Sequence, residues 1–325
     1  MATVVSITNP ITGAVEQVDK LDHTAQQIDD AVALAPQLSN PNLLDNWHFG
    51  NPVNQRGQTE YTALGYTIDR WKLPAVHKLT VQDSGIKITC NSSAGVNFCF
   101  QQLVENLEVG NQYTLSALIT ENTTTKGVSL RHGNSGSNAV TGTGVYTYTF
   151  VAASADLASG VGMQFNSRVD DNDNYFALKA IKLELGSQQT LAHQDADGNW
   201  VLNEIPDYGE QLRRCQRYFV NFNPYKMKWF TMPPAVASNA SQAYSAVTLP
   251  VAMRAQPVVA YGGNIALSQD ADHAVTSILV SDNTFTGNSI QLRYDVSAGT
   301  LTANALYRAQ GNNDPTSYIW LSADL

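Results

Sequence analysis

Two acidic runs hold the side chains best suited to ionic chemistry: Asp170, Asp171 and Asp173 in RVDDNDNY, and Asp195 and Asp197 in QDADGNW. Hard cations take clustered Asp and Asn oxygens, so Asp170, Asp171 and Asp173 are the candidate ligands of a structural calcium, with no other cofactor expected. The DADGN run departs from a helix-loop-helix calcium loop, because its Gly comes too early and no Glu stands at the twelfth position. Glycoside hydrolysis would need two carboxyls facing each other roughly 5–5.5 or 6.5–9.5 Å apart, and sequence neighbours rarely achieve that. Asp, Asn and Gly in such runs serve turns. His23, His48, His77, His132, His193 and His273 are scattered without metal-binding spacing, and no G-x-S-x-G elbow occurs. No catalytic residue is therefore expected, and the chain reads as a binding protein rather than an enzyme.

Sugar recognition asks for something else: an aromatic face with a few polar groups around it. Tyr225, Lys228 and Trp229 crowd into NFNPYKMKWFTMPPAVASNASQAY, a Pro-rich stretch without strand alternation, and Tyr244, Tyr261 and Asn264 follow. Binding residues concentrate on loops held by a rigid scaffold, which makes these six the candidate ligand-binding residues. Trp47 and Trp71 stand beside Leu44, Phe49 and Ile68 and read as core instead.

The elements that must carry these loops are strands. Among 325 residues there are 22 Gly, 12 Pro, 14 Tyr and 10 Phe, while charged residues make up only 14%. From 42 to 186, strand-like segments alternate with Gly, Asn and Asp turns: KLTVQ, IKITC, VNFCFQQL, QYTLSALIT, VSLRH, VYTYTFV, GVGMQFN and YFALKAIKLEL. Short strands at that spacing are the signature of an antiparallel sandwich or jelly roll. A helical piece, YGEQLRRCQRYF, then precedes a second strand-rich stretch ending in TSYIWLSADL.

Near the N-terminus, TVVSIT and AVEQV read as a hairpin around an Asn-Pro and Gly turn. Beyond it Val18, Leu21, Ala25, Ile28, Val32 and Ala35 recur at alternating spacings of three and four, a heptad seam suited to contact between copies of the chain. The expected class is mainly β. An N-terminal attachment and trimerisation segment (1–40) leads into a jelly roll (41–200) and a β-sandwich head (201–325).

Partners are narrowed by charge. A net charge of −9 without any basic block argues against nucleic acid, which needs a basic stripe. No apolar run reaches the ~20 residues that span a bilayer, and the opening MATVVSITNP lacks a secretory pattern, so cytoplasmic folding is expected. Cys90, Cys99 and Cys215 lack zinc spacing and read as buried thiols.

Two stretches, NLLDNWHFGNPVNQRGQTEYTALGYTIDRWKL (42–73) and IKLELGSQQTL with YGEQLRRCQRYF (181–219), resemble segments recurring in tail-fibre or minor structural proteins of phages and prophages of gut bacteria. LPVAMRAQPVV and YIWLSADL are similar to the terminal domain of the same proteins. The resemblance implies a carbohydrate-binding-module-like jelly roll and a small β-sandwich head, assembled as a homotrimer behind a segment that grips other virion proteins. Location in the virion and binding of a host-surface glycan or protein would follow. A capsid head fibre or decoration protein is the alternative. A polysaccharide depolymerase is the third reading, although its usual β-helix repeat is not visible.

Overall fold

Alternation of apolar and polar residues sets one face of a strand inward, and segments such as SIQLRYDV, buried at every second position over Ser289–Val296, become strands for that reason. The computed structural model describes residues 4–8, 15–19, 40–94, 98–281, 283–297 and 299–324. It divides into two units, Met1–Ser39 and Asn40–Leu325.

In the first unit Val4–Thr8 pairs antiparallel with Val15–Asp19. Val18, expected to open the helical seam, stands in the second of these strands opposite Val5. Leu21, Ala25, Ile28, Val32 and Ala35 lie outside the described residues.

The second unit begins with two six-stranded antiparallel sheets. Sheet I runs in the order Gly144–Val151, Gln112–Asn122, Tyr175–Leu185, Gly85–Thr89, Lys78–Gln82, Glu60–Tyr61. Sheet II runs Ser135–Gly136, Val128–His132, Val161–Phe165, Phe100–Gln102, Lys72–Leu73, Gly65–Tyr66. The buried aromatic rings of Phe49, Trp71 and Phe100 belong to the core of this half, Trp71 stacking on Phe100 at 4.4 Å. Trp47 and Trp71 are core residues, as their apolar neighbours suggest.

Sheet I is buried on both faces at its centre, where a sandwich strand normally keeps one side wet. Thr114, Ser116, Lys182 and Glu184 have no exposed surface. The turn-rich stretch after Leu185 accounts for part of this. Lys182 Nζ donates to Thr190 Oγ1 (2.9 Å) and pairs with Glu204 Oε1 (3.1 Å), while Glu184 accepts from the Thr190 N–H (2.7 Å). A buried lysine is tolerated only with such partners.

The C-terminal strands behave differently from the open sandwich expected of them. Ala235–Asn239, Gln242–Thr248, Ser289–Val296, Asp272–Val280, Ile265–Ser268 and Leu306–Gly311 form a closed barrel, because Leu306–Gly311 pairs with both Ala235–Asn239 and Ile265–Ser268. Closure removes the unpaired edges that a sandwich would leave. Beside it lies a three-stranded sheet, Phe219–Asn221, Tyr318–Ser322 and Val258–Gly262, in register Ala260 to Trp320 and Gly262 to Tyr318.

The two segments that carry the resemblance meet between the cores. The helix Tyr208–Gln216, capped by Asp207 through the Glu210 N–H, sets Gln211 to accept from the Asn46 N–H (2.8 Å). Gln55 Nε2 donates to Asp69 Oδ2 (2.6 Å) and to the Phe219 carbonyl (2.8 Å). Arg56 pairs with Asp324 (2.9 Å) and Asp69 (3.5 Å) while its guanidinium lies 3.8 Å from the Phe219 ring centroid. Arg70, held at a left-handed φ of 70°, pairs with Asp45 (3.0 Å), which also takes Arg214 (2.7 Å). Such a φ is strained for arginine and persists where surrounding contacts fix it.

Burial pushes the Asp69 carboxyl up to about 7 against the opposing pull of Arg56 and Gln55, and burial likewise raises Asp324. The buried thiols are inert by the same cause, Cys90 being pushed up to about 12. Cys90 follows a strand of sheet I and Cys99 precedes a strand of sheet II, so they flank facing sheets.

Replacing Arg56 with Ala would leave two buried carboxyls without their shared counter-charge. A loss of about 3–5 kcal/mol is expected in urea unfolding, whereas a loss below about 1 kcal/mol would mean that the pair behaves as a surface bridge. A second prediction concerns pH. Folded Asp69 keeps its proton to about 7 and the unfolded chain releases it near 3.8, so its contribution is fully present below the lower value and lost as pH rises through the upper one. The stability difference between wild type and Asp69→Asn, followed by thermal unfolding, should therefore shift against wild type across that window; a shift in its favour would refute the assignment.

Candidate functional site

A loop that presents side chains to a partner must first satisfy its own backbone, and Asn223 does this for residues 222–231. Its Nδ2 donates to the carbonyls of Met227 (3.0 Å) and Ser317 (2.8 Å), and its Oδ1 accepts from the Met227 N–H (2.7 Å). Asn223 is itself buried. Held this way, Tyr225 is 86% exposed and Trp229 53% exposed. Lys226, at a φ of 53°, reaches the Gly57 carbonyl at 3.3 Å and ties the loop to the turn that carries Arg56.

Lys228 and Asn264 join this loop through Asp314. The Asp314 N–H donates to the Lys228 carbonyl, and the Asn264 N–H donates to Asp314 Oδ2 at 2.8 Å. Hydrogen bonds from the Thr316 hydroxyl and N–H and from the Asn264 N–H hold the Asp314 carboxyl below its ordinary value. Thus Tyr225, Lys228, Trp229 and Asn264 belong to one group of linked loops.

Tyr244 and Tyr261 do not join it. Tyr244 lies in a barrel strand opposite Val236 and Arg293, and the Tyr261 hydroxyl is turned to the Thr276 carbonyl. Both belong to strand walls, where alternation rather than loop geometry sets direction.

A row of rings that the sequence reading missed lies beside the loop. In YIWLS, Ile319 and Leu321 are buried while Tyr318 and Trp320 are half-buried on the opposite face, their rings 4.2 Å apart. Trp320 also meets Phe219 edge-on at 5.6 Å, and Arg56 lies between Phe219 and the Tyr66 ring. Gly262 makes room, since a Cβ there would stand 2.6 Å from the Tyr318 ring. Trp320 Nε1 has no hydrogen-bond partner among the described residues. The alternation Y-I-W-L was the available signal, two aromatic residues on the face away from an aliphatic pair. The partly exposed rings of Tyr318 and Trp320, with Asn221 opposite Trp320 on the neighbouring strand, are of the kind suited to holding a sugar ring.

The candidate calcium ligands do not converge. Asp171 is fully buried and its carboxylate accepts from Thr125 N–H and hydroxyl and from the Lys126 N–H, closing the loop between two strands. Asp170 is exposed and bonded to Ser167, and the exposed Asp173 accepts from Asn172. Among the described residues no group of three or more His, Cys, Asp or Glu could hold a metal ion. Asp195 is likewise a turn residue, accepting from the N–H groups of Asp197 and Asn199.

Asn223→Ala would strip three hydrogen bonds from the backbone of Met227 and Ser317 and is expected to cost about 1–3 kcal/mol while speeding tryptic cleavage after Lys226 and Lys228. An unchanged digestion rate would show that the loop is held by other means.

No family model matches the chain, and no curated protein does. Among solved structures, the N-terminal CBM22-1-CBM22-2 tandem domain of Paenibacillus barcinonensis Xyn10C is similar at 7% identity and a TM-score of 0.24, over 90% of this chain and all of that one. A likeness of that degree bears on neither mechanism nor ligand. What the described residues establish is a mainly β chain of antiparallel sheets, sandwich-like in its first half.

Proposed function

We propose that this chain is a non-catalytic structural component of a bacteriophage particle, a fibre that attaches to a host-surface glycan through the Tyr318–Trp320 face and the adjoining Tyr225–Trp229 loop. The observation that carries the reading is the partly exposed, closely packed Tyr318 and Trp320 pair on the strand face opposite Ile319 and Leu321. It is supported by the resemblance of residues 42–73 and 181–219 to phage structural proteins. Residues 1–40 serve attachment to the virion and assembly of three copies in this reading. Each copy binds weakly, and three linked sites raise avidity by ~10²–10⁴ without new contacts.

The function is tested by binding of the full chain to immobilised envelope glycans of the host. Trp320→Ala is expected to lower binding at least tenfold, about 1.4 kcal/mol, at a temperature well below its own thermal midpoint, which falls with the lost packing on Phe219, and no reducing ends should appear in the supernatant. Full binding by a folded Trp320→Ala variant would remove the aromatic face from the site, and released sugar would make the protein an enzyme.

A further inference from the structure

Between the two cores lies a cavity of about 240 Å³, far more than the roughly 10–15 Å³ that one water needs. Its charged walls are Asp45, Arg70, Glu105, Arg214 and Arg217, with Tyr218 beside them. Both carboxylates are already engaged. Asp45 accepts from Arg70 Nε and Arg214 Nε. Glu105 accepts from Arg254 Nε (2.6 Å) and the Tyr218 hydroxyl (2.8 Å), with Arg217 Nη2 farther off at 3.6 Å. Burial works to raise Glu105, but the hydrogen bonds from Arg254 and Tyr218 and the charges of Arg254 and Arg217 outweigh it and keep the carboxyl below its ordinary value.

The guanidinium groups are not all engaged. Arg70 is 2% exposed, with Nε on Asp45, Nη2 on the Leu103 carbonyl and its Cζ 3.4 Å from the Tyr218 ring centroid. Its Nη1 is buried without a hydrogen-bond partner among the described residues. A buried donor left unmade is costly, and native structures rarely keep one without a reason. With Arg254 on Glu105 counted, four arginines stand against two carboxylates around this space, a local positive excess in a chain whose net charge is −9.

We propose that the cavity binds the carboxylate of a small organic acid, one oxygen accepting from Arg70 Nη1 and the other from Arg217, whose side chain is 49% exposed and whose contact with Glu105 is long. Guanidinium groups match the planar, two-oxygen acceptor of a carboxylate, and the two donors named here supply one hydrogen bond to each oxygen. The space admits a ligand of about one sugar residue, below the usual range of drug-sized pockets. This site shares no residue with the aromatic face and stands or falls independently of it.

The test is isothermal titration of the full chain with glucuronate, glucose, lactate and inorganic phosphate. Glucuronate is expected to bind and glucose not. Lactate binding as tightly as glucuronate would support recognition of the carboxylate alone, and weaker lactate binding would support a sugar acid. Arg217→Gln should weaken glucuronate binding at least tenfold at an unchanged thermal midpoint, and Arg70→Lys, which keeps the charge but loses the fork, should weaken it as well. Four results would overturn the proposal: no glucuronate binding at millimolar concentration, equal affinity for glucose, tighter binding of phosphate, or wild-type affinity in folded Arg217→Gln.

Discussion

Arg56, shared by the buried carboxyls of Asp69 and Asp324, is the interaction on which the rest of the residue 40–325 unit depends. The Arg56 and Asp324 partners are 268 positions apart in sequence. Neither carboxyl is readily buried as an anion without Arg56, so the turn carrying Arg56 and the C-terminal strand reach the junction together. A buried ion pair adds little net stability compared with a well-packed apolar replacement. Its effect here is to make wrong dockings of the two cores expensive, because each would strand a charge. Gln55 reinforces this by bonding to Asp69 on one side and to the Phe219 carbonyl on the other. The second arginine system, Arg70 and Arg214 on Asp45, repeats the logic a few residues away.

Much of the strand pattern was legible because alternation is local. KLTVQ, VSLRH and YFALKAIKLEL coincide with Lys78–Gln82, Val128–His132 and Tyr175–Leu185. The helix at Tyr208–Gln216 was legible for a like reason, Asp207 standing where an N-cap belongs. Barrel closure was not, since it depends on Leu306–Gly311 finding partners about 40 and 70 residues away, and no short-range feature records that choice. The turn-rich residues after Leu185 looked like a boundary. Their polar side chains also satisfy Lys182 and Glu184 beneath them, a partnership visible only once the sheet exists.

The candidate site was half legible for a physical reason. Loop residues without alternation, such as Tyr225 and Trp229, can be recognised as outward because nothing in their pattern points them inward. Tyr318 and Trp320 sit in an alternating strand, where the pattern says that two residues face opposite to Ile319 and Leu321 but not which side is wet. Asp171 shows the converse. It stands in an acidic run that looks solvated, yet its carboxylate is turned inward on Thr125 and Lys126 because that loop has amides needing an acceptor.

The aromatic row crosses the junction, and that ties its geometry to the stability of the junction. Tyr66 and Arg56 come from the segment packed on the first core, whereas Phe219, Trp320 and Tyr318 come from the sheet beside the barrel. A surface built from both halves keeps its geometry only if the halves cannot slide, and displacements of about 1 Å are enough to spoil a preorganised site. Arg56 serves both needs with one side chain. Its charge fixes Asp69 and Asp324, and its flat face lies against the buried Phe219 ring on which Trp320 packs. The Lys226 bond to the Gly57 carbonyl brings the exposed loop under the same constraint, since the turn it grips is the one that presents Arg56. Rigidity at the surface is therefore a consequence of charge burial beneath it, because the same guanidinium that a slipped docking would strand is the one that aligns the row.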